Sequence, residues 1–173
     1  AFLAQITAAY LLGLYLAQLR GNKYKDEIAS ILSELQQMPE KIQKVIDNDA
    51  PVKELGVEMK DASSVIFLGR HVGFPVAMEG ALKLKEITYI HAEGFAAGEL
   101  KHGPIALIDE GQPVIIVVPS ASGRDSLHGK VVSNIQEVRA RGAFTIVIAE
   151  EGDEAVKPYA DRLITVPACP SLL

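Results

Sequence analysis

"SSVIFLGRHVGFPVAMEGALKLKEITYIHAE", residues 63–93, changes character twice. Its opening run is short, β-branched and aromatic, and it stops at Gly69, as a strand buried on both faces does. From Pro75 to Ile90 the pattern is helical, and Ile90 to Glu93 read as a possible short strand. Strand, helix, strand at this spacing is the parallel crossover unit.

Working outward, the alternation continues. "PVIIVVP" (113–119) is a strand, "DSLHGKVVSNIQEVRARG" (125–142) a helix closed by Gly142, and "AFTIVIAE" (143–150) a strand. A short helix near 153–160 and the strand "RLITVP" (162–167) follow. The fold class is therefore α/β, a doubly wound parallel sheet of about five strands flanked by helices and preceded by helices. In such sheets ligands sit beyond the carboxyl ends of the strands, so the loops after Gly69, Glu93, Pro119 and Glu150 are the expected places for function.

Upstream, three amphipathic helices are expected. They are "YKDEIASILSELQQM" (24–38), stopped by Pro39, then "PEKIQKVIDND" (39–49) and "PVKELGVEMKD" (51–61), with Pro51 in a first turn. The first 19 residues carry no charge, which by length alone suits a membrane span. Gln5, Thr7 and Gln18 interrupt that run, so a helix whose partners lie partly upstream of Ala1 is the better reading, and no membrane is expected. A chain beginning Ala1-Phe2-Leu3 and stopping just past its last strand reads as a fragment, open at both ends.

With 17 basic and 22 acidic residues the net charge is −5, and neither sign forms a block. Nothing in that balance attracts nucleic acid. Cys169 is the single cysteine, which excludes an internal disulfide framework and fits a reducing, cytoplasmic location. Neither zinc-ligand spacing nor a catalytic Cys/His pair is present, and no metal or cofactor is expected.

The chemistry-bearing groups gather between Glu79 and His102. At 100° per residue Val76, Ala77, Gly80, Ala81, Leu84 and Ile87 form one apolar arc, with Glu79, Lys83 and Glu86 together on its edge, half buried. A salt-bridged helix flank explains that stripe as well as a proton-transfer site does. The segment "AAGELKHGP" (96–104) is too charged and glycine-rich for a core element and too long for a mere turn. If Glu99 to His102 form a helical turn stopped by Gly103, His102 sits where the helix dipole favours a positive charge, as suits a proton donor; a histidine capping carbonyls has the same look. His71 lies in a loop at the ligand end of the sheet, His91 reads as strand core and His128 as a helix-surface residue. "PSASGRDS" (119–126) is a possible anion site at a helix amino end, although Asp125 argues against it.

The run "EGALKLKEITYIHAEGFAAGELKHGP", with "SNIQEVRARG" at 133–142, resembles the second sugar-isomerase (SIS) domain of the glutamine–fructose-6-phosphate aminotransferase family, the glucosamine-6-phosphate synthases. The resemblance extends over residues 1 to about 167 and is poorer at 119–128 and after Val166. It implies a flavodoxin-like SIS domain over 61–173, a helical lead-in over 21–60, and residues 1–20 as the last helix of a preceding SIS domain. It also implies fructose 6-phosphate as substrate, a glutaminase domain elsewhere in the parent chain, and a homodimer. In the family the carboxylate matching Glu86 shuttles a proton between C1 and C2, the lysine matching Lys83 assists at the sugar oxygens, and the histidine matching His102 opens the ring across a subunit interface. The glutaminase, the preceding SIS domain with its phosphate loop and the tail lysine that forms an imine have no counterpart here. The fragment alone is therefore expected to have little or no activity. A non-catalytic sugar-phosphate-binding regulatory module is the alternative; it needs an anion site but no base, and "LKE" with "ELKHGP" favours the enzyme.

Overall fold

The computed structural model describes residues 2–121 and 127–170, and the chain divides into two compact units, Ala1–Gln43 and Lys44–Leu173. In the first, α1 (Phe2–Leu19) buries only Leu14, while Leu3, Leu12, Tyr15 and Leu19 are exposed. By length and composition α1 could cross a membrane, a test that core helices of soluble proteins also pass. The second helix, α2 (Lys25–Asp47), runs on into the second unit and keeps Pro39 inside it. The two helices expected on either side of Pro39 are thus one. Proline removes a hydrogen bond and costs about 3 kcal/mol in a helix interior. Here Ile28, Ile31, Leu35, Met38, Ile42 and Ile46 stay in helical phase across it, and Lys41 Nζ reaches back 3.1 Å to Glu34 Oε2.

The second unit begins with α3 (Ala50–Met59), whose first turn holds Pro51 as expected. Next come β1 (Ser64–Gly69), α4 (Gly73–Thr88) and β2 (His91–Ala96), so the strand read at 90–93 extends three residues further. Tight 3₁₀ turns at Ala97–His102 and Pro104–Leu107 lead to β3 (Pro113–Val117). Then follow α5 (His128–Arg139), β4 (Phe144–Glu150), a 3₁₀ turn at Lys157–Tyr159 in place of the expected short helix, and β5 (Arg162–Val166). The strand order is β2-β1-β3-β4-β5 with every pair parallel. This order reverses direction between β1 and β3, where a crevice opens at the carboxyl ends.

Alternation along the strands separates two cores. On one face Ile66, Leu68, Val114, Ile116 and Val147 pack with Val131, Ile135 and Val138 of α5. On the other, Val65, Phe67, Ile115 and Ile146 pack with Ala77 and Ala81 of α4 and with Leu55 and Met59 of α3. Each fully buried Leu, Ile or Val contributes about 1.5–3 kcal/mol. Small residues let α4 lie close. A Cβ on Gly80 would stand 2.9 Å from Phe67 Cε1, and one on Gly69 would stand 2.1 Å from the Gly73 carbonyl oxygen.

The buried Thr145 fixes the β4–β5 connection. Its Oγ1 lies 2.7 Å from the Tyr159 carbonyl and its N–H donates to Asp161 Oδ2 at 2.8 Å. Burial alone would raise the Asp161 pKa, but the Thr145 hydrogen bonds and the Arg139 guanidinium outweigh it and hold the carboxyl below the usual Asp range.

Candidate active site

The last two turns of α4 place Lys83 between two carboxylates. Its Nζ donates to Glu86 Oε2 at 2.6 Å and lies 3.7 Å from Glu79 Oε1, the i,i+3 and i,i+4 contacts expected from the stripe. The Lys83 pKa is raised, chiefly by the hydrogen bond to Glu86; desolvation works the other way, and the charges of Glu86 and Glu79 add to the rise. The ammonium form is therefore held at neutral pH, a donor beside an acceptor.

This pair is half buried, as the periodicity implied. The Lys83 and Glu86 side chains are 50% and 51% exposed. The apolar arc divides: Ala77 and Ala81 are buried and Leu84 packs against the core, but Val76 and Ile87 are exposed, with Met78 and Leu82 beside them. An open groove of about 540 Å³ runs between α4 and β2, lined by Glu79, Leu82, Lys85 and Glu93 among others, and Glu86 stands outside it.

His102 is placed elsewhere. It ends the 3₁₀ turn Ala97–His102, with Gly103 as the stop, and its Nδ1 lies 3.2 Å from Glu99 Oε2. The turn expected at 99–102 is thus present, in 3₁₀ rather than α form and two residues longer. Since α4 runs antiparallel to the strands, Lys83 and Glu86 lie toward the amino end of β2 and His102 beyond its carboxyl end. Six residues of strand span about 20 Å. The structure therefore brings Lys83 and Glu86 together and leaves His102 apart from them within this chain. The strand-end rule locates His102 but not the α4 pair.

The other histidines depart from their expected settings. His91, expected in the strand core, is exposed at the first residue of β2, 3.9 Å from Glu93 Oε2. His128, expected at a helix surface, has a side chain only 12% exposed and pairs with Asp153 Oδ2 at 2.7 Å. Asp153 lies after β4, so the pair ties the first residue of α5 to the segment that follows β4, which no local pattern encodes. His71 does lie after β1, in a left-handed conformation (φ 52°). The anion loop read at 119–126 falls largely outside the described residues; Ser120 within it donates to Glu150 Oε2 at 3.1 Å. Among the described residues no group of three or more His, Cys, Asp or Glu side chains is placed to hold a metal ion.

Two residues that the sequence reading passed over stand near the β1–β3 switch point. Arg70 directly follows β1, and Asn134 is 6% exposed in α5. The signal for Asn134 was available, since it falls on the same helical stripe as Val131, Ile135 and Val138.

Comparison with known proteins agrees with this architecture. The chain is 73% identical over 173 residues to glutamine–fructose-6-phosphate aminotransferase [isomerizing] of Corynebacterium glutamicum, covering all of this chain and 28% of that protein. It is 63% identical over 172 residues to the protein of that name from Mycobacterium tuberculosis, covering 99% of this chain and 28% of the other. The chain thus spans little more than a quarter of the length of these curated relatives. Among solved structures, the C-terminal domain of glucosamine-fructose-6-phosphate aminotransferase from Francisella tularensis superposes with a TM-score of 0.87 at 36% identity, covering 97% of this chain and 46% of that one. The SIS domain pattern matches residues 58–171, from the end of α3 through β5, and the chain belongs to the SIS domain family.

Proposed function

We propose that this chain is the second SIS domain of a glutamine–fructose-6-phosphate aminotransferase, and that it supplies the proton-transfer side chains for the ketose-to-aldose step on fructose 6-phosphate. In this reading the Glu86 carboxylate takes the C1 proton of the open-chain ketose and returns it at C2. The Lys83 ammonium serves the sugar oxygens, and His102 of a neighbouring subunit opens the ring. Residues 1–20 close a preceding SIS domain, and a glutaminase domain elsewhere in the parent supplies ammonia. The assembly is a cytosolic homodimer.

The observation that carries the reading is the Lys83–Glu86 pair, 2.6 Å apart and half exposed on the flank of α4. A carbon acid is deprotonated by a carboxylate shielded from water, with a separate donor for the oxygen. This pair has the donor and lacks the shield, so a surface from outside this chain completes it. The distance to His102 supports the same conclusion, because one substrate reaches both ends of β2 only where a second copy brings its own His102 alongside.

The test is solvent exchange at C1 of fructose 6-phosphate in D2O, followed by NMR with the full-length parent. Exchange with the parent, its loss with Glu86→Gln and retained sugar-phosphate binding are the expected results. Exchange that survives Glu86→Gln removes the role. Binding without exchange in the unmodified parent favours the regulatory module. Mixing Glu86→Gln and His102→Ala subunits should restore part of the activity through hybrid dimers, and no restoration counts against a shared site.

A further inference from the structure

Helix α4 is held between two residues in a conformation that side chains avoid. Among the described residues seven positions have positive φ, and five of them are glycines. The exceptions are His71 (φ 52°), two residues before Gly73 opens α4, and Tyr89 (φ 63°), which caps its end. A left-handed residue after a helix is ordinarily glycine, because a Cβ there crowds the following carbonyl.

Tyr89 is the sharper case. Its N–H donates to the Lys85 carbonyl at 3.1 Å, so the cap is formed, and glycine would form it without the crowding. The ring recovers nothing within this chain, since Tyr89 is 92% exposed, more than any other large apolar or aromatic side chain among the described residues. Strain of this kind persists where the side chain is used. Leu82, Glu86 and Tyr89 fall at i, i+4 and i+7 on one stripe of α4, and all three are exposed. Glu86 therefore has an aliphatic residue one turn before it and an aromatic ring one turn after it, with the exposed Ile87 alongside.

We propose that Tyr89 is a positioning residue for the proton transfer, its ring closing the side of Glu86 that this chain leaves open. The assignment rests on the role proposed for Glu86 and names one part of the shield which that role needs. The surface opposite the ring is further polypeptide of the same parent, since this chain covers only 46% of the Francisella tularensis C-terminal domain on which it superposes. No bond is made to Tyr89. It acts through Glu86, by keeping water from the carboxylate so that the proton taken from C1 is returned at C2 rather than exchanged with solvent. The aromatic body and not the hydroxyl carries this task.

The experiment follows turnover of fructose 6-phosphate and glutamine by the full-length parent in D2O, scoring the rate and the deuterium that enters C2 of the product per turnover. Tyr89→Gly should lower kcat about tenfold with KM changed less than about twofold, and raise the deuterium at C2 about threefold. Tyr89→Phe keeps the ring and should bring both back to within about twofold of the unmodified parent. In this chain by itself, Tyr89→Gly relieves the left-handed crowding and should raise the melting temperature by about 2–4 °C. A slower enzyme from a more stable chain is the signature of a residue kept for what lies opposite it. Unchanged deuterium at C2 in Tyr89→Gly, or a melting temperature that falls, overturns the assignment. With Glu86→Gln run alongside, the two failures separate: exchange that survives Glu86→Gln removes the role of Glu86 and this assignment with it, whereas exchange lost in Glu86→Gln and unaltered turnover in Tyr89→Gly removes Tyr89 alone.

Discussion

Helices α4 and α5 perform the same topological task on opposite faces of one sheet, and their surfaces are finished differently. On α5, Val131, Ile135 and Val138 are buried completely, while Lys130, Ser133, Gln136 and Arg139 face water. On α4 the buried residues are Gly73, Ala77 and Ala81, and Val76, Met78, Leu82 and Ile87 are left outside. Helix α5 turns its apolar residues onto its own sheet. Helix α4 packs closely through small residues and keeps Val76, Met78, Leu82 and Ile87 outward, around Lys83 and Glu86. On the proposed reading α4 carries chemistry on a surface that needs a neighbour, and it is stabilised by little of what makes it useful.

That contrast can be broken by substitution. On the proposed reading Glu86→Gln in the full-length parent lowers the isomerisation rate by about 10²–10⁴, the usual worth of a general base, with the melting temperature unchanged. A fall in both would make Glu86 structural. On α5 the reverse is expected, since Ile135→Ala empties a fully buried site and should cost about 2–5 kcal/mol of stability in urea titration of this chain. A loss under 1 kcal/mol would show α5 to be loosely seated. Gly80→Ala forces a methyl against the Phe67 ring and should cost about 1–3 kcal/mol, less than the cavity but more than a surface change.

A subtler test uses pH. Arg139 Nη1, at the end of α5, lies 2.9 Å from Asp161 Oδ1, and the Asp161 pKa is lowered in the folded chain. A depressed carboxylate contributes stability above its unfolded pKa of about 3.9, and that contribution disappears as pH falls through the folded value. Asp161→Asn should therefore destabilise the chain at pH 7 and progressively less below pH ~4; a pH-independent difference would assign the effect to lost packing. The smallest effect belongs to Ile87→Ala, 75% exposed, which should change the stability of this chain by less than about 0.5 kcal/mol. The same substitution in the parent should weaken subunit association, measured by sedimentation.

Much of this was legible in the residues. The strand expected at 63–70 is β1 at Ser64–Gly69, and the βαβ opening with the three later strands fixes the class, because buried parallel strands and amphipathic crossovers each have a local period. The spacing of Glu79, Lys83 and Glu86 foretold their contacts for the same reason. Pro39 misled because a local breaker was outweighed by a stripe running through it. His128 was misjudged because its partner, Asp153, is distant in sequence. The exposure of Val76 and Ile87 was missed because periodicity reports which residues share a face and not whether this chain covers it.

The sheet order also bears on how the chain acquires its fold. Residues of β4 pair with residues of β5 that follow closely, as in Ile146 with Arg162, whereas β1 must wait for β3, as in Ile66 with Val114. Closing a longer loop costs more entropy, and distant parallel pairings form slowly. The seam between β1 and β3 is thus expected to be among the last to zip. During synthesis β1 emerges with neither neighbour available, so its buried run Val65–Leu68 is the segment most in need of protection from premature association.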